Sequence, residues 1–350
     1  MKDIAGNYYL VPDPDGTAAT VYHLGAAGAC CGNSVVLIPY SNPYGKKPEA
    51  KYFPIQTVSC IALNGPAPIN NPLVLRARTS KAEYLKKLRG LKEHIQQGNI
   101  YEINFCVEFF CEGAEIDPYN TFIHLYQLTK APYSALLKTG DEFILCGSPE
   151  LFLKKEGGFV SSKPIKGTIR RGVDAQEDEA LKTTLYNSLK ERTENVMAVD
   201  VARNDLSHFA KKSSVRVNKL YNIETFETVH QMVSTVSCEI KEGTGFEKII
   251  NATFPMASMT GAPKIRAMQL IDELEDFERK NYSGAMGIIN ANEDFKLSVI
   301  IRSIFYNQKT KQLSIAVGGA ITYLSEPEKE YEECLLKARA MLKALNATIV

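Results

Sequence analysis

The chain has 350 residues, 45% hydrophobic and 23% charged, an ordinary globular balance that excludes a disordered chain. Lys plus Arg number 41 against 40 Asp plus Glu, and a net charge of +1 removes the bulk electrostatic case for binding nucleic acid or a membrane surface. Eight cysteines are too dilute for a disulfide scaffold, and with Cys30 and Cys31 adjacent and no Cys-x-x-Cys pairing, reduced thiols and no zinc site are expected. The N-terminus has no apolar core of a signal peptide, and no stretch approaches about 18 apolar residues, so a cytoplasmic protein with no membrane span is expected.

Residues 1–75 are rich in Pro, Gly and Asn, with short strand-like runs such as Ser34–Ile38. Dense turn punctuation from Asn64 to Pro72 predicts a boundary, leaving a short N-terminal segment over 1–75 and a main domain over 76–350. Ser80 with Glu83 three residues on forms a capping box, and Leu85, Leu88, Leu91 and Ile95 share one face of the helix that follows, which Gly98 stops. Strands are predicted over 100–110 and 143–146, then one long helix from about Asp174 to Asn204. A further helix opens at Pro263. The polar turns Asn290–Asp294 and Asn307–Lys311 join hairpin strands between Gly284 and Thr322. A last helix is predicted to begin at Ser325 with Glu328 as its capping partner. Helices lie between groups of hairpins instead of alternating with single strands, which predicts an α+β fold with antiparallel sheets.

No phosphate loop, dinucleotide glycine pattern or Ser-His or Cys-His constellation is present, so the candidate chemistry lies elsewhere. Glu191 and Glu194 are three residues apart on a predicted helix, as are Glu330 and Glu333, and Lys337 follows one turn later. Each pair is either a solvated helix face or, facing the other, a set of hard oxygen donors for magnesium. Lys166 lies between Pro164 and Gly167, where the backbone approaches a ligand closely, and Glu150 of Ser148-Pro149-Glu150 is a candidate matching acid. Ser258, Thr260 and Gly261 precede a helix N-terminus, a natural anion site or a plain cap. Arg302 interrupts an apolar strand and must face water or pair with a carboxylate; Gly318-Gly319 permits close approach of a ligand.

Together these pieces resemble the chorismate-utilising enzymes. The resemblance spans roughly residues 76–346. It rests on Ser-Pro-Glu at 148–150, Pro-Ile-Lys-Gly-Thr at 164–168 and the Glu-Asn-Val-Met-Ala-Val-Asp-Val-Ala-Arg-Asn-Asp run at 194–205. Thr-Gly-Ala-Pro-Lys at 260–264, Tyr-Ser-Gly-Ala at 282–285 and Glu-Tyr-Glu-Glu at 330–333 with Lys337 complete it. Within the family Lys166 discriminates: anthranilate synthases usually carry Ala there, whereas the Pro-Ile-Lys-Gly-Thr form is similar to the aminodeoxychorismate synthases, where that lysine is the nucleophile. Three departures stand out. Glu102 occupies a position where water-activating members have Lys and amino-transferring members commonly Gln, Gln231 replaces a His, and Ala320 replaces a Gly.

The resemblance implies an α/β/β/α sandwich of two large packed antiparallel sheets, with 76–350 as the chorismate-binding catalytic domain. It implies conversion of chorismate and ammonia to 4-amino-4-deoxychorismate, for 4-aminobenzoate and folate synthesis. Lys166 attacks ring carbon 2 while Glu150 protonates the departing hydroxyl at carbon 4, so their environments are expected to push the two pKa values in opposite directions. Mg2+ is expected on Glu194 and Glu333, with Glu191 and Glu330 holding its waters. Thr168, Ser258, Thr260, Gly261, Tyr282, Arg302, Gly318, Gly319 and Lys337 form the expected substrate-binding set. The chain has no glutaminase arrangement, so ammonia is expected from a glutamine amidotransferase partner. The rival readings are anthranilate synthase component one and a non-catalytic chorismate-binding scaffold.

Overall fold

The protein is described by a computed structural model covering residues 4–29, 32–40, 48–67, 72–227 and 229–350; Cys30, Cys31 and the centre of the predicted boundary at 68–71 lie outside the described residues. Five strands come first: β1 (Asn7–Pro12), β2 (Ala18–Leu24), β3 (Ser34–Ile38), β4 (Lys51–Ala62) and β5 (Leu73–Ala77). Helix α1 (Lys81–Gln96) leads to β6 (Glu102–Cys111). Helix α2 (Pro118–Thr129) leads to β7 (Tyr133–Thr139), β8 (Glu142–Ser148), β9 (Leu151–Glu156), β10 (Phe159–Ser162) and β11 (Ile165–Arg170). Helices α3 (Ala175–Asn187) and α4 (Leu189–Ser207) precede β12 (Arg216–Thr225) and β13 (Val229–Glu239). Helix α5 (Phe246–Thr253), a single helical turn at Ala257–Met259, the short β14 (Gly261–Ala262) and α6 (Lys264–Leu274) follow. The chain ends with β15 (Ala285–Ile289), β16 (Phe295–Val299), β17 (Ser303–Asn307), β18 (Gln312–Ile321), α7 (Pro327–Leu345) and β19 (Ala347–Ile349).

The strands form two antiparallel sheets. One runs β4-β2-β1-β7-β8-β17-β18-β6, with β5 and β14 sharing the far side of β6. The other runs β4-β3-β15-β16-β9-β10-β13-β12, with β11 beside β10 on β13. Strand β4 belongs to both, pairing through Lys51–Pro54 with β3 and through Ile55–Ala62 with β2. Among the described pairings only β19 with β5 is parallel.

The period of two along each strand divides the core into layers. On β3, Val35 and Leu37 join Tyr9, Leu137, Ile144 and Met286 between the sheets, whereas Val36 and Ile38 join Val199, Leu206 and Ile249 beneath α4 and α5. On β8, Leu145 turns the other way, into a cluster with Leu88, Phe122 and Met341 of α1, α2 and α7. The result is helix, sheet, sheet, helix, the sandwich expected from the resemblance. Ser80 caps α1 by accepting from the Glu83 amide at 3.2 Å, and Gly98 follows its end at φ +76°.

Three sequence expectations are corrected. The single helix over 174–204 is two, because Ser188 adopts an extended backbone that ends α3 and caps α4, its hydroxyl accepting from the Glu191 amide. Ser325 does not cap α7; its hydroxyl is engaged by the Thr322 amide and the Ala320 carbonyl, and the helix begins at Pro327 after Glu326. Arg302 is not inside a strand, but in a left-handed conformation at φ +51° in the link from β16 to β17.

Candidate active site

Helix α4 on one sheet and α7 on the other present their acidic pairs toward the same space. Glu194 and Glu330 are both buried, and one Glu194 oxygen, Oε1, has no hydrogen-bond partner. Between the two helices stands Lys190, 4.0 Å from Glu194 Oε1 and 3.7 Å from Glu330 Oε1. Burial pushes the Glu194 carboxyl up to about 7, and Glu102 and Glu191 add to that while Lys166 and Lys190 oppose it. Glu333 behaves oppositely: burial would raise it, but Lys337, Lys190 and Lys166 together hold it below the usual range. Lys337 is fixed by Glu333 at 2.7 Å and by the Gly318 carbonyl at 2.8 Å.

Two glycines shape the carboxylate space. Gly319 on β18 faces it, and a Cβ there would lie 3.3 Å from Glu330 Oε2 and 3.8 Å from Glu333 Oε1. Gly167 on β11, at φ +85°, leaves room for Glu191, whose Oε2 would be 2.9 Å from a Cβ at that position. The break at Ser188 lets Leu185 and Glu191 flank Gly167 from the two separate helices. Among the described residues no three acidic, His or Cys side chains close in tightly enough to enclose an ion.

Lys166, on β11, is buried and donates to the Glu102 carboxylate of β6, itself buried. Burial alone would lower the Lys166 pKa, but Glu102, Glu194 and Glu150 outweigh it and hold the pKa above its usual value. Glu150, in the link from β8 to β9, is pushed up to about 7 by burial, against the opposing pull of Ser258, Lys166 and Arg302. The expected opposite displacement of Lys166 and Glu150 is therefore corrected: both are raised, because Glu102 supplies a counter-charge the sequence did not reveal. Arg302 takes neither of its two alternatives outright: it is half-buried, and desolvation lowers its pKa while the nearby Glu150 charge opposes that shift.

The rest of the expected set divides. The Ser258 hydroxyl is buried beside Glu150 without completing a hydrogen bond. Thr260 donates to the Met256 carbonyl at 3.1 Å, and Gly261 packs so closely on β6 that a Cβ would sit 2.2 Å from the Glu102 carbonyl. Tyr282 is buried, its hydroxyl 3.7 Å from Cys106 Sγ, and that sulfur in turn lies where a Cβ on Gly318 would go. Thr168 is exposed and accepts from Gln231 Nε2 at 3.3 Å, while Gln231 Oε1 is buried without a partner. His230 serves another role, bonded to Asp178 at 2.9 Å and Thr225 at 3.0 Å.

Two groups that position this site were missed from sequence. One is Lys190. The other is the buried pair Glu275 and Arg279, whose guanidinium also reaches the Met259 and Asn104 carbonyls and the Ser283 hydroxyl, tying together the segments that carry Ser258, Glu102 and Tyr282. Their i, i+4 spacing was a signal for a pair, but nothing local marked it as buried. Beyond the β14–β6 contact, α4, α5 and α6 border an open groove lined by exposed Tyr101, Val196, Leu220 and Ile265. Among the described residues no helix is long and apolar enough to cross a membrane.

The family described as chorismate binding enzyme matches residues 59–343. The chain is 38% identical over 263 residues to aminodeoxychorismate synthase component 1 of Bacillus subtilis (strain 168), covering 75% of this chain and 55% of that protein. It is 39% identical over 270 residues to the probable chloroplastic aminodeoxychorismate synthase of Oryza sativa subsp. japonica, covering 76% of this chain and 30% of that protein. The chain thus spans about half or less of the length of these relatives. The fold is shared with anthranilate synthase component I from Streptococcus pneumoniae, at a TM-score of 0.76 and 22% identity, over 97% of this chain and 93% of that one. The chain belongs to the chorismate-binding enzyme family.

Proposed function

We propose that the chain is an aminodeoxychorismate synthase component one, replacing the ring hydroxyl of chorismate by ammonia to give 4-amino-4-deoxychorismate. The observation that carries this reading is the buried amine of Lys166 close to the protonatable carboxyl of Glu150, with Arg302 beside it. Hydroxide is a poor leaving group, so a carboxylic acid still protonated near neutral pH is the group the reaction needs at carbon 4. Anthranilate synthases usually carry Ala at the Lys166 position, and a scaffold has no use for a buried nucleophile.

Four carboxylates are hard oxygen donors, and a buried Glu194 oxygen without a partner fits a hard divalent cation such as magnesium. Glu194, Glu333, Glu191 and Glu330 would hold it, and when bound it supplies positive charge that anchors the ring carboxylate. Arg302 and the backbone around Gly318 and Gly319 then receive the side-chain carboxylate, Lys337 adds fixed charge, and Tyr282 packs behind them. Lys166 bonds to carbon 2, Glu150 protonates the hydroxyl leaving carbon 4, and ammonia displaces the lysine. The enolpyruvyl group remains, so a lyase must act on the product to make 4-aminobenzoate.

Ammonia is supplied in this reading by a glutamine amidotransferase. The exposed apolar groove beside the Glu102 strand supports a partner there. The test is a product assay with chorismate, magnesium and ammonium, analysed by liquid chromatography and mass spectrometry, with an aminodeoxychorismate lyase added to half. 4-Aminobenzoate in the lyase half alone supports the reading, and anthranilate without lyase overturns it.

A further inference from the structure

Lys166 and Glu102 lie 64 residues apart in sequence and meet through a direct hydrogen bond from Nζ to Oε1, with side chains only 8% and 5% exposed. The nucleophile of the proposed reaction must be a neutral amine, yet this amine is an ammonium held by its partner. A proton cannot pass readily to bulk water from so buried a position, and among the described residues the hydrogen-bond acceptor on Nζ is Glu102. Transfer within the pair turns two buried charges into two neutral groups without changing the net charge, and a low dielectric, which penalises each ion, lowers the cost of that exchange. Glu150 cannot serve both ends, since it must still hold a proton for the leaving hydroxyl.

We propose that Glu102 is a catalytic base that deprotonates Lys166. The inference rests on Lys166 being the nucleophile. Glu102 takes a proton from Nζ; the freed electron pair bonds to carbon 2, the two conjugated ring double bonds each shift by one bond around the ring, away from carbon 2 and toward carbon 4, the bond from carbon 4 to oxygen breaks, and Glu150 completes a water molecule. In the second half ammonia bonds carbon 4, both double bonds shift back, and the bond from carbon 2 to Nζ breaks, returning its electron pair to the lysine. Glu150 recovers its proton from the new ammonium, and Glu102 returns its own to the lysine. The sum is chorismate plus ammonia to 4-amino-4-deoxychorismate plus water.

The test follows adduct formation in a single turnover, with chorismate and magnesium but no ammonia, by rapid quench and intact mass spectrometry between about pH 6 and pH 9.5. The adduct adds the mass of chorismate less one water. For Glu102→Gln the adduct is expected to form ~100-fold more slowly than in the wild type at pH 7, the scale of a general base. That deficit should narrow as pH rises, because a growing share of the protein then starts the turnover with its Lys166 amine already neutral. An E102Q protein that forms the adduct at the wild-type rate throughout overturns the assignment while leaving Lys166 as nucleophile. A wild type that makes product without ever carrying the adduct overturns the covalent reading and this inference with it. If E102Q does not fold, E102A with added formate replaces it: restoration of the adduct by formate supports the base role, and wild-type rates without formate overturn it.

Discussion

The Lys190 ammonium stands 3.7 Å from the Glu330 carboxylate, across the gap between α4 and α7. Neither this contact nor the 4.0 Å approach to Glu194 is a hydrogen bond, and the side chain is 42% exposed, so Lys190 is a loosely held counter-charge where Lys337 is a fixed one. Any divalent cation entering must displace it. Lys190→Met keeps the aliphatic stem and is expected to tighten magnesium binding ~5-fold, since a partly exposed ion pair is worth about 1 kcal/mol. Calorimetric titration with magnesium, without chorismate, measures this, and the metal-free variant should also melt at a lower temperature than the wild type.

Gly167 is required twice over, by its φ of +85° and by the Glu191 side chain that fills the space of a Cβ. Gly167→Ala is expected to destabilise the fold by about 1–3 kcal/mol and to move Glu191 off its position. Thermal melts read the first effect, and a weaker magnesium dependence of turnover reads the second.

Glu150 sets a pH window. Its carboxyl is raised from an ordinary 4.5 to about 7, so the folded protein holds the proton more tightly than the unfolded chain. The stabilisation tied to that proton is complete below 4.5 and is lost as pH rises through about 7. In the proposed reaction the same titration removes the general acid, so kcat/KM should fall as pH rises above about 7. Glu150→Gln is expected to abolish ring substitution and to reduce the slope of the stability profile between pH 4.5 and 7, the remainder coming from Glu194, measured by urea unfolding at a series of pH values.

Ile265 is 56% exposed and Leu220 is 47% exposed on the groove behind the β14–β6 contact. Replacing either with Asp should reduce glutamine-dependent turnover in the presence of the amidotransferase at least several-fold, while ammonium-dependent turnover stays at the wild-type level. Equal loss of both activities would place the partner's seat elsewhere.

Breaking the Glu275–Arg279 pair should cost much more than any surface change. Both side chains are almost fully buried, and Arg279→Met leaves a buried carboxylate with no counter-charge. The expected loss is about 3–5 kcal/mol, read from denaturant unfolding.

Local rules in the sequence determined much of this protein. The Ser80 cap, the Gly98 stop, the hairpin turns at 290–294 and 307–311 and the α+β class follow from hydrogen bonds and periodicities spanning a few residues, and the structure realises them. The ordered motifs around Glu150, Lys166, Glu194, Thr260 and Glu330 likewise marked the family, because each needs particular residue types in a fixed short frame. Where local signals competed, reading failed. Leu181, Leu185 and Leu189 continue a helical period across Ser188, although a capping hydroxyl there splits the helix, and the apolar neighbours of Arg302 suggest a strand where it in fact links two. The tertiary structure alone decided which charges meet. Glu102 and Lys166, and Lys190 and Glu330, come together only because two sheets bring distant segments into one space, and the energy of a charge depends on what surrounds it in that space, which no short window of sequence contains.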